Sequence, residues 1–77
     1  MTKVFCLLKV EVGREKEVQK NLLAIPEVIR AHIVTGEYDI IVELNGISFA
    51  DLKVIVLEVI RKIANIKQTL TCPALEL

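Results

Sequence analysis

The first apolar stretch of the chain alternates with a period of two, which is typical of a β-strand. We predict a strand over residues 4–12, in which one face collects four apolar side chains, Val4, Cys6, Leu8 and Val10. The opposite face begins with Phe5 and Leu7 and ends in Lys9 and Glu11. Because both faces are apolar over part of the length, we expect a central strand that is covered on both sides.

Helical spacing replaces this alternation in two stretches. After Gly13, apolar residues recur at intervals of three and four and predict a helix over residues 14–24, which Pro26 ends. Ser48 is a favourable N-cap for a second helix that runs to about residue 64. The stripe that we expect to be buried on this second helix consists of Phe49, Leu52, Val56, Val59 and Ile63.

Two short β-branched stretches, residues 27–35 and 38–44, flank Gly36 and predict a hairpin. The chain must reverse at this point, and glycine reaches a positive φ more easily than other residues do. A last strand is predicted over residues 66–75. It contains Pro73 near its end, which an edge strand tolerates.

The resulting order of elements, β-α-β-β-α-β, predicts an α+β fold of the ferredoxin-like type. In this arrangement a four-stranded antiparallel sheet has the strand order 4-1-3-2, and right-handed crossovers place both helices on one face. A chain of 77 residues has room for one domain, which we assign to residues 1–77. The other face of the sheet is bare in the monomer, and we therefore expect two sheets to pack together in a dimer.

Composition strengthens the expectation of self-association. The chain is 53% hydrophobic, which is more apolar material than one small core can bury. Charged residues interrupt every apolar run before it reaches the length of a membrane span. Ten basic and ten acidic residues cancel, which argues against a strongly basic nucleic-acid-binding domain. The chain begins with a strand pattern and no secretion signal, so we expect a cytoplasmic location.

The residues that catalysis, metal binding and cofactor binding require are sparse. His32 is the only histidine, Cys6 and Cys72 form no metal-binding motif, and the three glycines are isolated. We therefore expect no catalytic residues, no metal and no cofactor. We expect both cysteines to be reduced and buried, although a disulfide would become feasible if the terminal strands paired. The alternative function is a small dimeric ferredoxin-like barrel enzyme that uses His32 or a cysteine.

The hairpin turn carries a concentrated set of polar groups. Thr35 offers a hydroxyl, Gly36 a backbone N–H, Tyr38 a phenol and Asp39 a carboxylate. These residues either make an ordinary turn, with Asp39 as a turn former, or bind a small ligand. Thr69 and Thr71 share one face of the last strand by alternation. They are either ordinary strand threonines or part of a polar pocket that the turn of another subunit completes.

Four sequence elements together resemble a known family. They are Gly13 ahead of a charged helix, Ile25-Pro26-Glu27-Val28, Val34-Thr35-Gly36-Glu37-Tyr38-Asp39, and Thr69-x-Thr71. This pattern resembles the RAM domain, named for regulation of amino acid metabolism, which is the effector domain of Lrp/AsnC transcription regulators. The resemblance covers essentially the whole chain.

The resemblance implies a non-enzymatic module that senses amino acids. Dimers form by packing of sheets, associate into rings that often contain eight chains, and bind a free amino acid between dimers. By the same match Gly36 provides a backbone N–H, Asp39 faces the ligand ammonium, and Tyr38 lines the pocket. Thr69 and Thr71 contact the ligand through their hydroxyls.

One feature departs from the family pattern. The regulators carry an N-terminal helix-turn-helix, whereas the first strand here is predicted to begin by Val4. We therefore expect a stand-alone module without direct DNA binding. The partners implied are other copies of the chain, a free amino acid and a full-length Lrp/AsnC regulator that shares the same interface.

Overall fold

Two β-α-β units in succession build the sheet, as the alternating periodicities predict. The computed structural model describes residues 2–75. Its elements are β1 (Thr2–Val10), α1 (Glu15–Leu23), β2 (Val28–Ile33), β3 (Ile40–Gly46), α2 (Phe49–Glu58), a 3-10 turn (Ile60–Lys62) and β4 (Ile66–Pro73). Met1, Glu76 and Leu77 lie outside this range.

The four strands form one antiparallel sheet in the order β2-β3-β1-β4, which confirms the predicted order 4-1-3-2. Strand β1 is central. Its Leu8 pairs with Ile40 of β3 on one side and with Thr69 of β4 on the other. The first and last strands of the fold therefore lie side by side in the sheet.

The core lies between the sheet and the two helices. The four alternating residues of β1 that were predicted to share a face are all buried there. They pack in one cluster with Val18 and Leu22 of α1 and with Leu52 and Val56 of α2. Both helices thus cover the same face of the sheet, as predicted, and we call it the helix-covered face.

The second helix is shorter than predicted, and two residues of its predicted stripe are exposed. Helix α2 begins as expected, since the N–H of Asp51 donates to Ser48 Oγ at 3.2 Å. It ends at Glu58 instead of near residue 64, and the 3-10 turn follows. The tighter turn brings Ile60 into the core, in place of Val59. Phe49, at the first turn of α2, is also exposed.

The first strand is also shorter at its end than predicted. It stops at Val10, and Val12 is 95% exposed. The N–H of Arg14 donates to the carbonyl of Glu11 at 3.0 Å, and Gly13 has a φ of +84° within this turn. The alternation of Val10 and Val12 continues in the sequence, but the turn removes Val12 from the sheet.

The opposite side of the sheet, which we call the open face, is also partly apolar. The pairing register places Leu7 beside Ile41 and Leu70, and Phe5 beside Cys72. Within residues 2–75 no helix covers these side chains, and Leu70 is 43% exposed. The monomer thus presents an apolar strip across three strands.

Candidate functional site

The 34–39 turn folds back onto the end of β1. The N–H of Val34 donates to the carbonyl of Asp39 at 2.9 Å, and the N–H of Asp39 donates to the carbonyl of Leu8 at 2.8 Å. Gly36 has a φ of +123°, as its position in the sequence predicted, and the space where a Cβ would point is open. The turn is therefore tied at its base and accessible at its tip.

The carboxylate of Asp39 continues the hydrogen bonding of β1 beyond the last pair with β3. Asp39 Oδ2 accepts a hydrogen bond from the N–H of Val10 at 2.9 Å. This contact is partly buried, and a hydrogen bond to a charged acceptor contributes about 1.5–3 kcal/mol. Within residues 2–75 no such bond is made to the other oxygen, Oδ1. Asp39 thus stabilises the turn through Oδ2, while its Oδ1 remains able to accept a further hydrogen bond.

Tyr38 is held against the same strand. Lys9 Nζ lies 5.5 Å from the centroid of the Tyr38 ring, which is the distance of a cation–π contact. Tyr38 is half-buried, whereas Thr35 and Gly36 are exposed. The phenol therefore has a fixed place beside the turn, and the tip remains accessible.

The two threonines of β4 lie on one face, as alternation predicted, and it is the helix-covered face. Thr69 pairs with Leu8 and Thr71 pairs with Cys6. The Cys6 thiol is buried, and this burial raises its pKa to about 11, against the opposing effect of a hydrogen bond with Thr71. Thr71 therefore lies beside the Cys6 thiol on this face.

The register places the turn and the start of β4 at the same end of the sheet. Asp39 and Thr69 both flank the segment of β1 around Leu8, one on each side. Neighbouring strands are about 4.8 Å apart, so β1 separates these two residues by roughly 10 Å. The structure brings the predicted site residues to one end of the sheet, but not into contact with one another.

A cavity of about 440 Å³ at this end was not foreseen. It is lined by Arg61, Ile66, Lys67, Gln68 and Thr69, and we call it the basic cavity. Only Thr69 had been identified as a candidate residue. The available signal was a pair of basic residues on either side of the helix-to-strand turn. Their convergence depends on the turn geometry, which periodicity does not predict.

The alternative enzyme finds no support in the arrangement of its candidate residues. His32 lies on β2 and Cys72 on β4, so that two strands separate them by roughly 14 Å. Cys6 lies on the helix-covered face and Cys72 pairs with Phe5 on the open face. Both cysteines are free, but only Cys6 is buried as predicted; Cys72 is partly exposed, because it lies on the open face. Among residues 2–75 no nucleophile is paired with a base, and no His, Cys, Asp and Glu side chains cluster as metal ligands.

Residues 3–77 match the model of the Lrp/AsnC ligand binding domain. The chain belongs to this family. A curated relative is the uncharacterized HTH-type transcriptional regulator PF0250 of Pyrococcus furiosus, which is 37% identical over 57 residues. These residues are 74% of this chain and 38% of the regulator, so the matched part spans well under half of the relative.

Several solved structures match over nearly the whole chain. FFRP-DM1 is 41% identical with a TM-score of 0.91, and the match covers 97% of this chain and 100% of that one. The hypothetical protein PHS023 of Pyrococcus horikoshii is 40% identical with a TM-score of 0.91, over 100% and 93%. The regulator NMB0573 of Neisseria meningitidis, solved as an L-Met complex, shares the fold at 16% identity and a TM-score of 0.79, over 97% and 50%.

The family membership confirms the resemblance drawn from the four sequence elements. The curated relatives are HTH-type transcriptional regulators, PF0250 and the regulator FL11 of Pyrococcus horikoshii among them. None of the helices within residues 2–75 has the length and apolar character that crossing a bilayer requires.

Proposed function

We propose that this domain binds a free amino acid at a contact between subunits and couples that binding to its own assembly. The observation that carries the proposal is the anchoring of the 34–39 turn. Asp39 is fixed by the N–H of Val10 and retains a second carboxylate oxygen. The turn is thus a rigid, accessible and negatively charged surface at one end of the sheet.

Each predicted site residue has a role in this proposal. Asp39 Oδ1 accepts from the ligand ammonium, and the N–H of Gly36 donates to the ligand. Tyr38 lines the pocket, while the hydroxyls of Thr35, Thr69 and Thr71 provide further polar contacts. The L-Met complex of NMB0573 supports an amino acid as the ligand class.

Assembly supplies the second half of the site. Because β1 separates Asp39 from Thr69 within a protomer, a ligand that contacts both residue types requires the turn of a neighbouring subunit. We propose that the open face forms a sheet-to-sheet dimer and that dimers associate into a ring. Ligand bound between dimers then shifts the assembly equilibrium, because it binds the assembled form more tightly.

The proposed downstream partner is a full-length Lrp/AsnC regulator with a compatible open face. The domain, acting as one unit over residues 1–77, would modulate transcription through that regulator without contacting DNA itself. The zero formal net charge is consistent with this division of roles.

A screen of the twenty amino acids by thermal shift, followed by calorimetry, tests the proposal. Asp39→Asn is the informative variant, because an asparagine Oδ1 still accepts from Val10 while the charge is lost. Ligand affinity should fall about ten- to a hundredfold, which corresponds to a charge-assisted bond. The melting temperature without ligand should change little.

Asp51→Asn is the matched control, since Asp51 is an exposed carboxylate on α2. It should leave affinity unchanged. If none of the twenty amino acids binds, amino-acid sensing is excluded. If one binds with equal affinity to wild type and Asp39→Asn, the ligand site lies elsewhere and Asp39 is a turn residue only.

A further inference from the structure

A second cavity lies at the end of the sheet opposite the 34–39 turn, and the proposed function does not use it. Its volume is about 510 Å³, which is within the range of small-molecule sites. The loop before β2, the end of β3 and the start of α2 surround it. We call it the corner cavity, and its lining includes Pro26, Glu27, Asn45, Ile47, Val54 and Ile55.

Most of the lining is apolar, and much of it is open to solvent. Ile47 is 87% exposed and Val54 is 55% exposed, although isoleucine and valine are among the residues most often buried. Ile55 packs against the core from the same helix. An apolar body in the corner cavity would remove these side chains from water, and the hydrophobic effect would favour its binding.

Two hydrogen-bond acceptors belong to neighbouring residues of one wall. The register pairs Val28 with Leu44, and the N–H of Asn45 donates to the carbonyl of Glu27 at 3.0 Å. Glu27 and Asn45 are therefore opposite neighbours, and side chains in such a pair leave the backbone on the same side. The carboxylate of Glu27 and the carboxamide of Asn45 thus lie within reach of one small group.

Both acceptors are available to a donor from a ligand. Asn45 Oδ1 is the one side-chain atom within residues 2–75 that is buried without a hydrogen-bond partner, and such an atom destabilises the fold. Glu27 takes part in none of the ion pairs formed by the same residues. The terminal torsion of asparagine is broad, so that a rotation of the carboxamide brings Oδ1 to the cavity.

The charge of the lining favours a cation. Asp51 adds a second carboxylate, and no basic side chain within residues 2–75 lines the cavity. Asp51 is exposed, so solvent and salt screen its charge, whereas Glu27 is partly buried and is screened less. An ammonium group carries one positive charge and three donors, which suits a carboxylate beside an amide oxygen.

We propose that the corner cavity binds a small primary alkylammonium ion. Its ammonium group donates to the carboxylate of Glu27 and to Asn45 Oδ1, and its alkyl chain covers Ile47 and Val54. A free amino acid is a poorer ligand here, because its carboxylate would face the carboxylate of Glu27. The site is therefore separate from the amino-acid site proposed above, both in position and in chemistry.

Amide NMR of the full chain, titrated with n-hexylammonium chloride at pH 7, tests the site. The backbone amides of residues 45–47 and the side-chain amide of Asn45 should shift. Affinity should fall about fourfold for each methylene removed in n-butylammonium and ethylammonium, because burial of a methylene contributes about that factor.

Glu27→Gln is the informative variant, since it keeps the shape of the side chain and removes the charge. Its affinity for n-hexylammonium should be at least about tenfold lower, because a charge-assisted hydrogen bond is lost. Asn45→Leu should also weaken binding without lowering the melting temperature, because the unpartnered acceptor is removed with the side chain. Glu11→Gln is the matched control, since Glu11 is an exposed carboxylate at the other end of the sheet, and it should leave the affinity unchanged.

Two further ligands separate the parts of the proposal. 1-Hexanol has the alkyl chain without the charge, and ammonium chloride has the charge without the chain. If either binds as tightly as n-hexylammonium, the cavity does not recognise an alkylammonium ion. The absence of shifts at residues 45–47, or equal affinities of wild type and Glu27→Gln, would overturn the proposal as well.

Discussion

The two faces of β1 carry similar apolar side chains in different surroundings. Leu8 on the helix-covered face is fully buried, whereas Leu7 on the open face is half-buried beside Ile41 and Leu70. The open face also carries charge, because Glu43 lies 3.2 Å from Lys3 Nζ and 3.3 Å from Arg30. The comparison separates a surface that holds the monomer together from one that is suited to another subunit.

The largest effect should come from the helix-covered face. Leu8→Ala removes fully buried methyl groups and should lower the free energy of unfolding by about 2–5 kcal/mol. Leu7→Ala, the matched change on the open face, should cost clearly less in a dissociated sample. Urea unfolding of both variants at low concentration measures the difference. If Leu8→Ala does not fold, the milder Ile40→Val should still cost about 0.5–1.5 kcal/mol. If Leu8→Ala and Leu7→Ala lower the free energy of unfolding equally, the proposed difference between the two faces is wrong.

The next effect concerns assembly. Leu7→Lys places a charge in the middle of the open face and should abolish sheet-to-sheet association. Light scattering at micromolar concentration should return multiples of 8.6 kDa for wild type and 8.6 kDa for the variant. Val12→Lys is the control, because Val12 is exposed and lies outside the sheet. A monomeric wild type would refute the assignment of the open face.

The cysteines report on the two faces through their reactivity. Cys6 is buried with a pKa raised to about 11, so at pH 8 it should react with a thiol reagent roughly 100-fold more slowly than a free thiol. Cys72, on the open face, should react first in the dissociated protein and become protected on association. Mass spectrometry of the labelled Cys6→Ser and Cys72→Ser variants assigns each rate. Faster labelling of Cys6 would contradict the burial of its face.

The smallest effect should come from the charges of the open face. The hydrogen bond from Lys3, with the charges of Lys3 and Arg30, holds the pKa of Glu43 below its usual 4.5, against a weaker opposing effect of burial. The stabilisation is therefore present above that value and is lost as pH falls through the lowered pKa. Glu43→Gln should lower the melting temperature at pH 7 and have no effect at the acid end. Glu58→Gln, which removes an exposed carboxylate paired with Lys62, is the control. If Glu43→Gln lowers the melting temperature equally at every pH, the ionic explanation is wrong.

The sequence predicted the features that depend on neighbouring residues. Alternation identified the buried face of β1, and Gly36 marked the hairpin, because both signals are local. The exposure of Val59 was missed, since a 3-10 turn replaces the last part of the predicted helix and buries Ile60 instead. Hydrophobic periodicity continues through that turn and does not reveal the change of helix type.

The candidate site shows the same limit more clearly. The residues of the 34–39 turn were identified because their polar groups stand together in the sequence. The bond from Val10 to Asp39 joins residues 29 positions apart, and it depends on the strand register. The convergence of Arg61 and Lys67 depends on a bulge and on the positive φ of Asn65. Neither feature can be seen in the hydrophobic periodicity of the sequence.

The central place of β1 has a consequence for how the protein is made. Of the four strands of this sheet, β1 leaves the ribosome first and β4 last, and β1 has β3 and β4 as its neighbours. Until β4 emerges, the nascent chain exposes the hydrogen-bonding edge of an apolar strand, which is a template for aggregation. The sheet can therefore be completed only after translation has passed Pro73, and a pause before that point would leave its central strand β1 half paired.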